Sequence, residues 1–400
     1  MAGPTTVAVD AQLMSVGWSD AQDAEPAIAE AMAMAMRGRS CAAGDLVLVM
    51  ADIQYARDDL MAAATARGAP AQVIGCSSTA AFATLSDVPH RCVVLHLPAD
   101  RLAIGVGSSP DGHQDLTAAA RDASLRAKTA ASAVTAADGV ARPHAALLLI
   151  AGGLSGDLRE VVRGAYEIAG AGVPLVGGAA GEDWSLSGTW QADGTAIYDH
   201  GVVAVWLASP DPLGIGIDHG YEPVSRQMQV TRGAGDVIQE LDGRPALEVY
   251  LEARGGLGRT DADNFLGQAL DRPLGLPTAD GTYEVRVILS TSEDGLVLNG
   301  HVHDQAVVRV LAADEPRLHA GARRAVTTAT AVLGREPRAV LVFSCAIRHA
   351  ILGQRIGNEI ATIADALDGA PAAGFYTYGE FARDYGATGF HNASVSVLAL

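Results

Sequence analysis

Three stretches of this 400-residue chain follow one pattern, and that pattern limits the fold more than any single motif does. Each begins with an apolar run of strand character, passes through a helical stretch and ends in a second apolar run closed by a turn of small residues. The first is LVLVMADIQYARDDLMAAATARGAPAQVIGCSSTAAF from Leu46. The second is ALLLIAGGLSGDLREVVRGAYEIAGAGVPLVGGAAGEDW from Ala146, and the third is AVLVFSCAIRHAILGQRIGNEIATIADALDGAPAAGFYTYGEF from Ala339. An Ala-rich helical stretch precedes each, and an apolar strand follows each: Cys92–Leu97, Val202–Leu207 and Ala393–Leu400. One unit therefore reads helix, strand, helix, strand, turn, strand. A strand–helix–strand passage implies a right-handed crossover and parallel neighbours, whereas a strand reached through a loop alone pairs antiparallel. The expected fold class is α/β, mixed α+β: two domains of layered mixed sheets with packed helices, built partly from three such units.

The spacing predicts a helix over 20–38, where Ala24, Ile28, Met32 and Met36 recur every four residues behind Ser19 or Asp20 as a cap. Helices over 115–135 and 316–333 serve the other two copies in the same way. The first two units fill residues 20–208 as an N-terminal domain, with Arg101–Ser109 as an additional strand between them. Ser209-Pro210-Asp211-Pro212 is the expected domain boundary, because two prolines stop regular pairing. The second domain runs over 213–400, with short strands inserted at about 213–315 and the third unit at about 316–400. Within the insert, ALEVYLEARG reads as a short helix. YEVRVILST and HVHDQAVVRVLAAD read as strands, separated by a turn at Glu293-Asp294-Gly295.

With 49% hydrophobic side chains the chain can bury substantial cores. Its formal charge of −18 comes without a block of basic residues, which argues against nucleic acid or an anionic membrane as partner. Lys128 is the one lysine, and it follows no phosphate-loop motif, so neither a Schiff base nor a P-loop is expected. Cys41, Cys76, Cys92 and Cys345 form no CxxC pair and no zinc-ligand spacing, which suits a reduced cytoplasmic protein. The first thirty residues read against a secretory signal, and no apolar run approaches the roughly 20 residues that span a bilayer.

Function is expected at the small-residue turns. These are Gly75-Cys76-Ser77-Ser78-Thr79, Gly177-Gly178-Ala179-Ala180-Gly181-Glu182-Asp183 and Gly374-Phe375-Tyr376-Thr377-Tyr378-Gly379-Glu380. Small residues after a buried strand leave backbone N–H groups uncovered, so an anionic group can approach them. A bulky residue at Gly178 is therefore expected to abolish binding and leave the fold intact. The other strand exits hold Ala51-Asp52, Gly152 through Asp157, and Ser344 through His349; Asp157 or Ser155 can cap the helix carrying Leu158, Val161, Val162, Ala165 and Ile168. Cys76 and Cys345 lie where an α/β nucleophile would sit, yet neither has a nucleophile signature, and Ser77 and Ser78 do not form GxSxG. His301 and His303 share one face of an expected strand but lack a third metal ligand at a predictable spacing. His349 follows Cys345 and Arg348 at a strand exit and is the haem-ligand candidate, against the plainer role of a hydrogen-bonding histidine.

In order and spacing these residues resemble the FIST sensory proteins of bacterial signal transduction. GCSSTA at 75–80 and VPLVGGAAGED at 173–183 are similar to the turns of the N-terminal FIST domain, as are Asp193-Gly194 and GVVAVWL at 201–207 to its end. ELDGRPALEVYLE at 240–252, YEVR at 283–286, SCAIRHAILG at 344–353 and GFYTYGEF at 374–381 look like the C-terminal FIST domain. The chain departs at Ala80-Ala81-Phe82, where the family usually shows a small residue, Gly and Glu. The resemblance implies a cytoplasmic sensor that binds a small ligand, amino acids being suggested, and reports to a separate protein such as a histidine kinase. It also implies, for some members, haem that detects nitric oxide, which here would fall to His349; no other cofactor is expected. Carried onto this chain, the ligand site comprises Gly75, Cys76, Ser77, Gly177, Gly178, Gly181, Glu182, Asp183, Arg348, Tyr376, Gly379 and Glu380. Catalysis is not expected; a Cys-dependent hydrolase or transferase, using Cys76 or Cys345, is the enzymatic alternative.

Overall fold

The computed structural model describes residues 13–255, 267, 269–279, 281–292, 295–383 and 389–400. The first unit consists of β1 (Ser15–Ser19), α1 (Ala24–Met36), β2 (Leu46–Asp52), α2 (Arg57–Gly68), β3 (Gln72–Ser78), the short β4 (Ala81–Ala83) and β5 (Cys92–Leu97). The second consists of β6 (Ala103–Ser109), α3 (Leu116–Asp138), β7 (His144–Ala151), α4 (Arg159–Ala169), β8 (Leu175–Ala179), the short β9 (Gln191–Ala192) and β10 (Ile197–Tyr198), and β11 (Val202–Ser209). A third begins at β12 (Gly214–Asp218) and is then interrupted.

The interruption is a sheet of its own: β13 (Glu222–Pro223), β14 (Met228–Ala234), β15 (Val237–Leu241), β16 (Arg244–Pro245), α5 (Ala246–Ala253), β17 (Leu274–Pro277), β18 (Tyr283–Arg286), β19 (Ile288–Ser292), β20 (Gly295–Leu298) and β21 (Val307–Ala312). Its strands run β18-β17-β21-β14-β15-β20-β19, with β13 on β21 and β16 on β15. The third unit then resumes with α6 (Glu315–Leu333), β22 (Val340–Cys345), α7 (Ala346–Leu352), α8 (Ile356–Ala366), β23 (Ala372–Thr377), β24 (Glu380–Arg383), β25 (Phe390–His391) and β26 (Val395–Ala399).

The three main sheets share one order: first strand, last strand, second strand, third strand, seen as β1-β5-β2-β3, β6-β11-β7-β8 and β12-β26-β22-β23. In each, the second and third strands are parallel and the other pairs antiparallel, as the crossover argument requires. Each unit therefore opens with a strand that the sequence reading left out or placed between units.

Each sheet is extended by a short strand from another unit. β4 pairs with β23, β9 with β3, and β24 with β8, so the exchange runs in a ring through all three. The inner faces meet in one core that includes Leu48, Ile74, Val93, Leu148, Val176, Val203, Leu341, Phe375 and Leu398. The outer faces pack under helices, Val47 and Val49 beneath α1 and α2, Leu147 and Leu149 beneath α3 and α4, and Val340 and Val342 beneath α6 and α8. Burial on both faces is why these strands read as unbroken apolar runs.

The Ala-rich helices have a cause in the first strands. A methyl group at Gly17 would lie 2.1 Å from the Ala31 carbonyl oxygen, one at Gly107 2.3 Å from that of Ala123, and one at Gly216 2.0 Å from that of Ala325. Glycine facing alanine lets helix and strand backbones touch. The first helix begins later than expected, at Ala24. Ser19 ends β1 instead, its Oγ accepting from Ala21 N, and Asp23 occupies the cap.

In the insert, YEVRVILST divides into β18 and β19, and the last strand starts only at Val307, leaving His301 and His303 outside it. The turn at Glu293 and Asp294 lies outside the described residues. No described helix is long and apolar enough to cross a membrane.

Candidate functional site

The three small-residue turns meet. Thr79 N donates to Tyr376 O (3.2 Å), Gly181 N to Ser77 O (3.1 Å) and Tyr378 N to Ala179 O (3.1 Å), a closed ring of backbone bonds among the three units. The uncovered amides expected here are therefore occupied: Ser77 N donates to Trp190 O, Ala179 N to Gly379 O and Ala180 N to Ala151 O. The glycines serve contact. A Cβ on Gly178 would stand 2.4 Å from Thr377 Cγ2, and one on Gly181 2.7 Å from Thr79 Oγ1. A bulky residue at Gly178 would collide with this packing, so it cannot test binding while leaving the fold untouched.

The remaining sequence candidates fall into separate places. Gly75 and Gly177 lie opposite Val49 and Leu149 within parallel strand pairs, and Gly379 turns into β24 with φ +153°. Ser77 Oγ accepts from Trp190 N (3.0 Å). The Cys76 and Cys345 thiols are buried, and burial pushes both well above the ordinary thiol range, which opposes a nucleophilic thiolate.

Glu182 is buried and braces its own loop, accepting from Ser185 N (2.9 Å) and from the Tyr378 hydroxyl, while Asp183 is exposed. Arg348 is wholly buried: Nε and Nη2 donate to Glu359 at 2.9 and 2.6 Å, Nη1 to His219 O and Nη2 to Leu318 O. Tyr376 packs on this pair with its hydroxyl 3.5 Å from Glu359 Oε1. Glu380 forms a third cluster, accepting from Thr377 Oγ1, Ser394 N (3.0 Å) and Ser394 Oγ (2.7 Å); burial raises its carboxyl to about 7 against these hydrogen bonds.

Haem was the cofactor suggested for His349. That ring is half-buried, stands edge-on to Tyr376 at 5.0 Å, and is not part of the lining of the 830 Å³ cavity described next. His301 and His303 stack edge to face at 4.3 Å, and among the described residues no group of three or more His, Cys, Asp or Glu can hold a metal ion.

A cavity of about 830 Å³ opens instead where the insert leaves the third unit. β12 ends at Asp218, whose Oδ1 accepts from Gly220 N (2.8 Å). Gly220, at φ +77°, carries the chain against α6, where a side chain would meet Arg317 O at 2.3 Å. His219 and Tyr221 follow on one wall, Thr278 and Ala279 after β17 with Thr282, Tyr283, Glu284 and Val285 of β18 and its approach form another, and His391, Asn392 and Ser394 close it.

The polar lining is fixed. Arg324 grips Asp218 through Nε (2.7 Å) and Nη2 (2.9 Å), and Glu284 is held by Arg286 Nη2 (2.6 Å). His219 Nδ1 accepts from Tyr221 N, and His391 Nε2 bonds to Ala382 O (2.9 Å); burial lowers both imidazoles, favouring the neutral forms. Two imidazoles held neutral, a guanidinium and two carboxylates thus line one space, with Arg324 paired to Asp218 and Glu284 paired to Arg286. Sequence reasoning missed these residues and Glu359. The one local signal was Asp218-His219-Gly220, a polar turn at a strand exit. Ser394 joins the cavity to the Glu380 cluster.

Residues 45–244 match the FIST N domain and residues 246–383 the FIST C domain. The chain belongs to the FIST family. FIST domains are sensor domains of signal transduction, and the two matches adjoin at residue 245, inside the inserted sheet. Similar curated proteins are uncharacterized: Rv0628c of Mycobacterium tuberculosis, 27% identical over 50% of this chain and 54% of its own, and MJ1623 of Methanocaldococcus jannaschii, 27% identical over 36% and 30%. This FIST chain spans about half the length of the former. Among solved structures, a cyanuric acid hydrolase from A. caulinodans aligns over 96% of this chain and 98% of its own, at 12% identity and a TM-score of 0.36. A likeness that weak bears on neither the fold nor the chemistry here.

Proposed function

We propose that this FIST protein binds a small polar metabolite of the amino-acid class in the 830 Å³ cavity, without turning it over, and that a separate protein such as a histidine kinase reads the bound state. The observation that carries the reading is the lining. Four segments far apart in sequence, 217–223, 278–285, Arg324 and 391–394, supply opposite charges and neutral imidazoles around one space. Arg324 suits a carboxylate, and Asp218 or Glu284 an ammonium group. The segment 391–394 continues β25, which pairs antiparallel with β24, and β24 completes the sheet of the second unit. A ligand touching Asn392 or Ser394 is thus one strand pair from another sheet, which supplies an element whose position binding can bias. Four free, buried cysteines support a reducing, cytoplasmic setting.

The test is a thermal-shift screen of the twenty amino acids against the whole chain and its Arg324→Met variant. At least one should raise the melting temperature of the parent and lose most of that effect in the variant. A hit that the variant leaves unchanged overturns the assignment to this cavity.

A further inference from the structure

A serine, a histidine and a carboxylate stand in line in the first unit, and none of them lines the metabolite cavity. Ser86 Oγ lies 2.9 Å from His90 Nε2, and His90 Nδ1 lies 2.9 Å from Asp20 Oδ2. The two ends fix the tautomer. A carboxylate only accepts, so Nδ1 carries the ring proton and Nε2 presents its lone pair to the Ser86 hydroxyl. The other acceptor near that hydroxyl, Val88 O, is 3.5 Å away.

Backbone bonds hold each member in place. His90 pairs with Ala81 of β4 (His90 N to Ala81 O 2.7 Å, Ala81 N to His90 O 3.2 Å), and Trp18 stacks on its ring at 5.2 Å. Asp20, which follows β1, accepts from Arg91 N at its other oxygen (3.0 Å). Ser86 N donates to Ala83 O (3.0 Å), which sets the serine in the turn after β4, partly open to solvent, while the His90 side chain is only 5% exposed. Among the described residues no acceptor takes Asp87 N, so the amide that follows the serine is left for an oxyanion. Leu85 and Val88, on either side, are each 51% exposed.

We infer that Ser86, His90 and Asp20 form a hydrolytic triad acting on small esters with an apolar acyl group, at a site separate from the metabolite cavity and independent of the reading given to it. Ser86 Oγ attacks the ester carbonyl carbon while its proton passes to His90 Nε2, and Asp20 steadies the imidazolium. The bond from that carbon to the alkoxy oxygen then breaks, and the alcohol leaves with the proton from His90. Water attacks the acyl-serine in the same way, giving its proton to His90; the carboxylic acid is released and Ser86 regains its proton. Leu85 and Val88 supply the apolar surface for the acyl chain.

Incubation of the whole chain with an alkyl fluorophosphonate, followed by intact mass and peptide mapping, tests this. One adduct on Ser86 is expected, absent from Ser86→Ala, together with hydrolysis of p-nitrophenyl butyrate that the same variant abolishes. His90→Gln should slow labelling about 100-fold or more. Asp20→Asn should slow it about tenfold, less than the loss of a buried carboxylate would, because the Asp20 side chain is 58% exposed. Ser86 and Asp20 are open to solvent, so their variants keep the fold even if the His90 variant does not. No adduct, an adduct on another residue, ester hydrolysis that survives Ser86→Ala, or a labelling rate indifferent to Asp20→Asn would each overturn the triad.

Discussion

Arg348 and Glu359 form an ion pair with no solvent exposure on either side, so removing one partner leaves a buried charge without its counterpart. Arg348→Met should cost about 3–5 kcal/mol in a denaturant titration, and adding Glu359→Leu should recover part of that loss. Arg348 was read from sequence as a ligand contact because it stands at a strand exit. Its partner was hidden because Glu359 falls on the stripe of Ile356, Ile360 and Ile363, where a carboxylate reads as an interruption. Glu380 yields a pH prediction. Its carboxyl binds a proton more tightly folded, at about 7, than at the ordinary value of 4.5, so its contribution is complete below pH 4.5 and is lost as pH rises through 7. Relative to Glu380→Gln, the parent should lose on the order of 3 kcal/mol between those limits. A difference between the two proteins that does not vary with pH would refute that account.

At the scale of elements, the second, third and last strands of each unit and the Ala-rich helices were legible because burial on two faces and helical spacing mark the sequence, whereas the first strands, marked only by glycines that face alanine, were not read as part of a unit. The exchanged strands were not. β9 has two residues and β4 three, too few for a period, and their partners are chosen by how the three turns close on one another. Gly216→Ala should destabilise the protein by about 3 kcal/mol, because its new methyl group meets the α6 backbone. Gly172→Ala, with no atom within 4 Å of the added carbon, should stay within about 0.5 kcal/mol. Equal midpoints for the two variants in denaturant would contradict the close-contact argument.

Across the whole molecule, each main sheet is completed by a strand from another unit, and one core takes side chains from all three. Residues 13–210 and 213–400 expressed separately should each lack a cooperative unfolding transition, and should regain one when mixed; two independent transitions would show that the ring of exchanges is dispensable. The same closure separates the ligand site expected from sequence from the cavity proposed above. The turns stood out in sequence for their small residues, which pack against each other, whereas the cavity draws on segments scattered between residues 217 and 394 that no local pattern connects. Hydrogen exchange, measured with and without the amino acid that gives the largest thermal shift, tests this most directly. The account predicts added protection in 218–223, 278–285 and 391–394, extending to 175–179 through the paired strands β25 and β24. Protection confined to the turns at 75–79, 177–183 and 374–380 would contradict it.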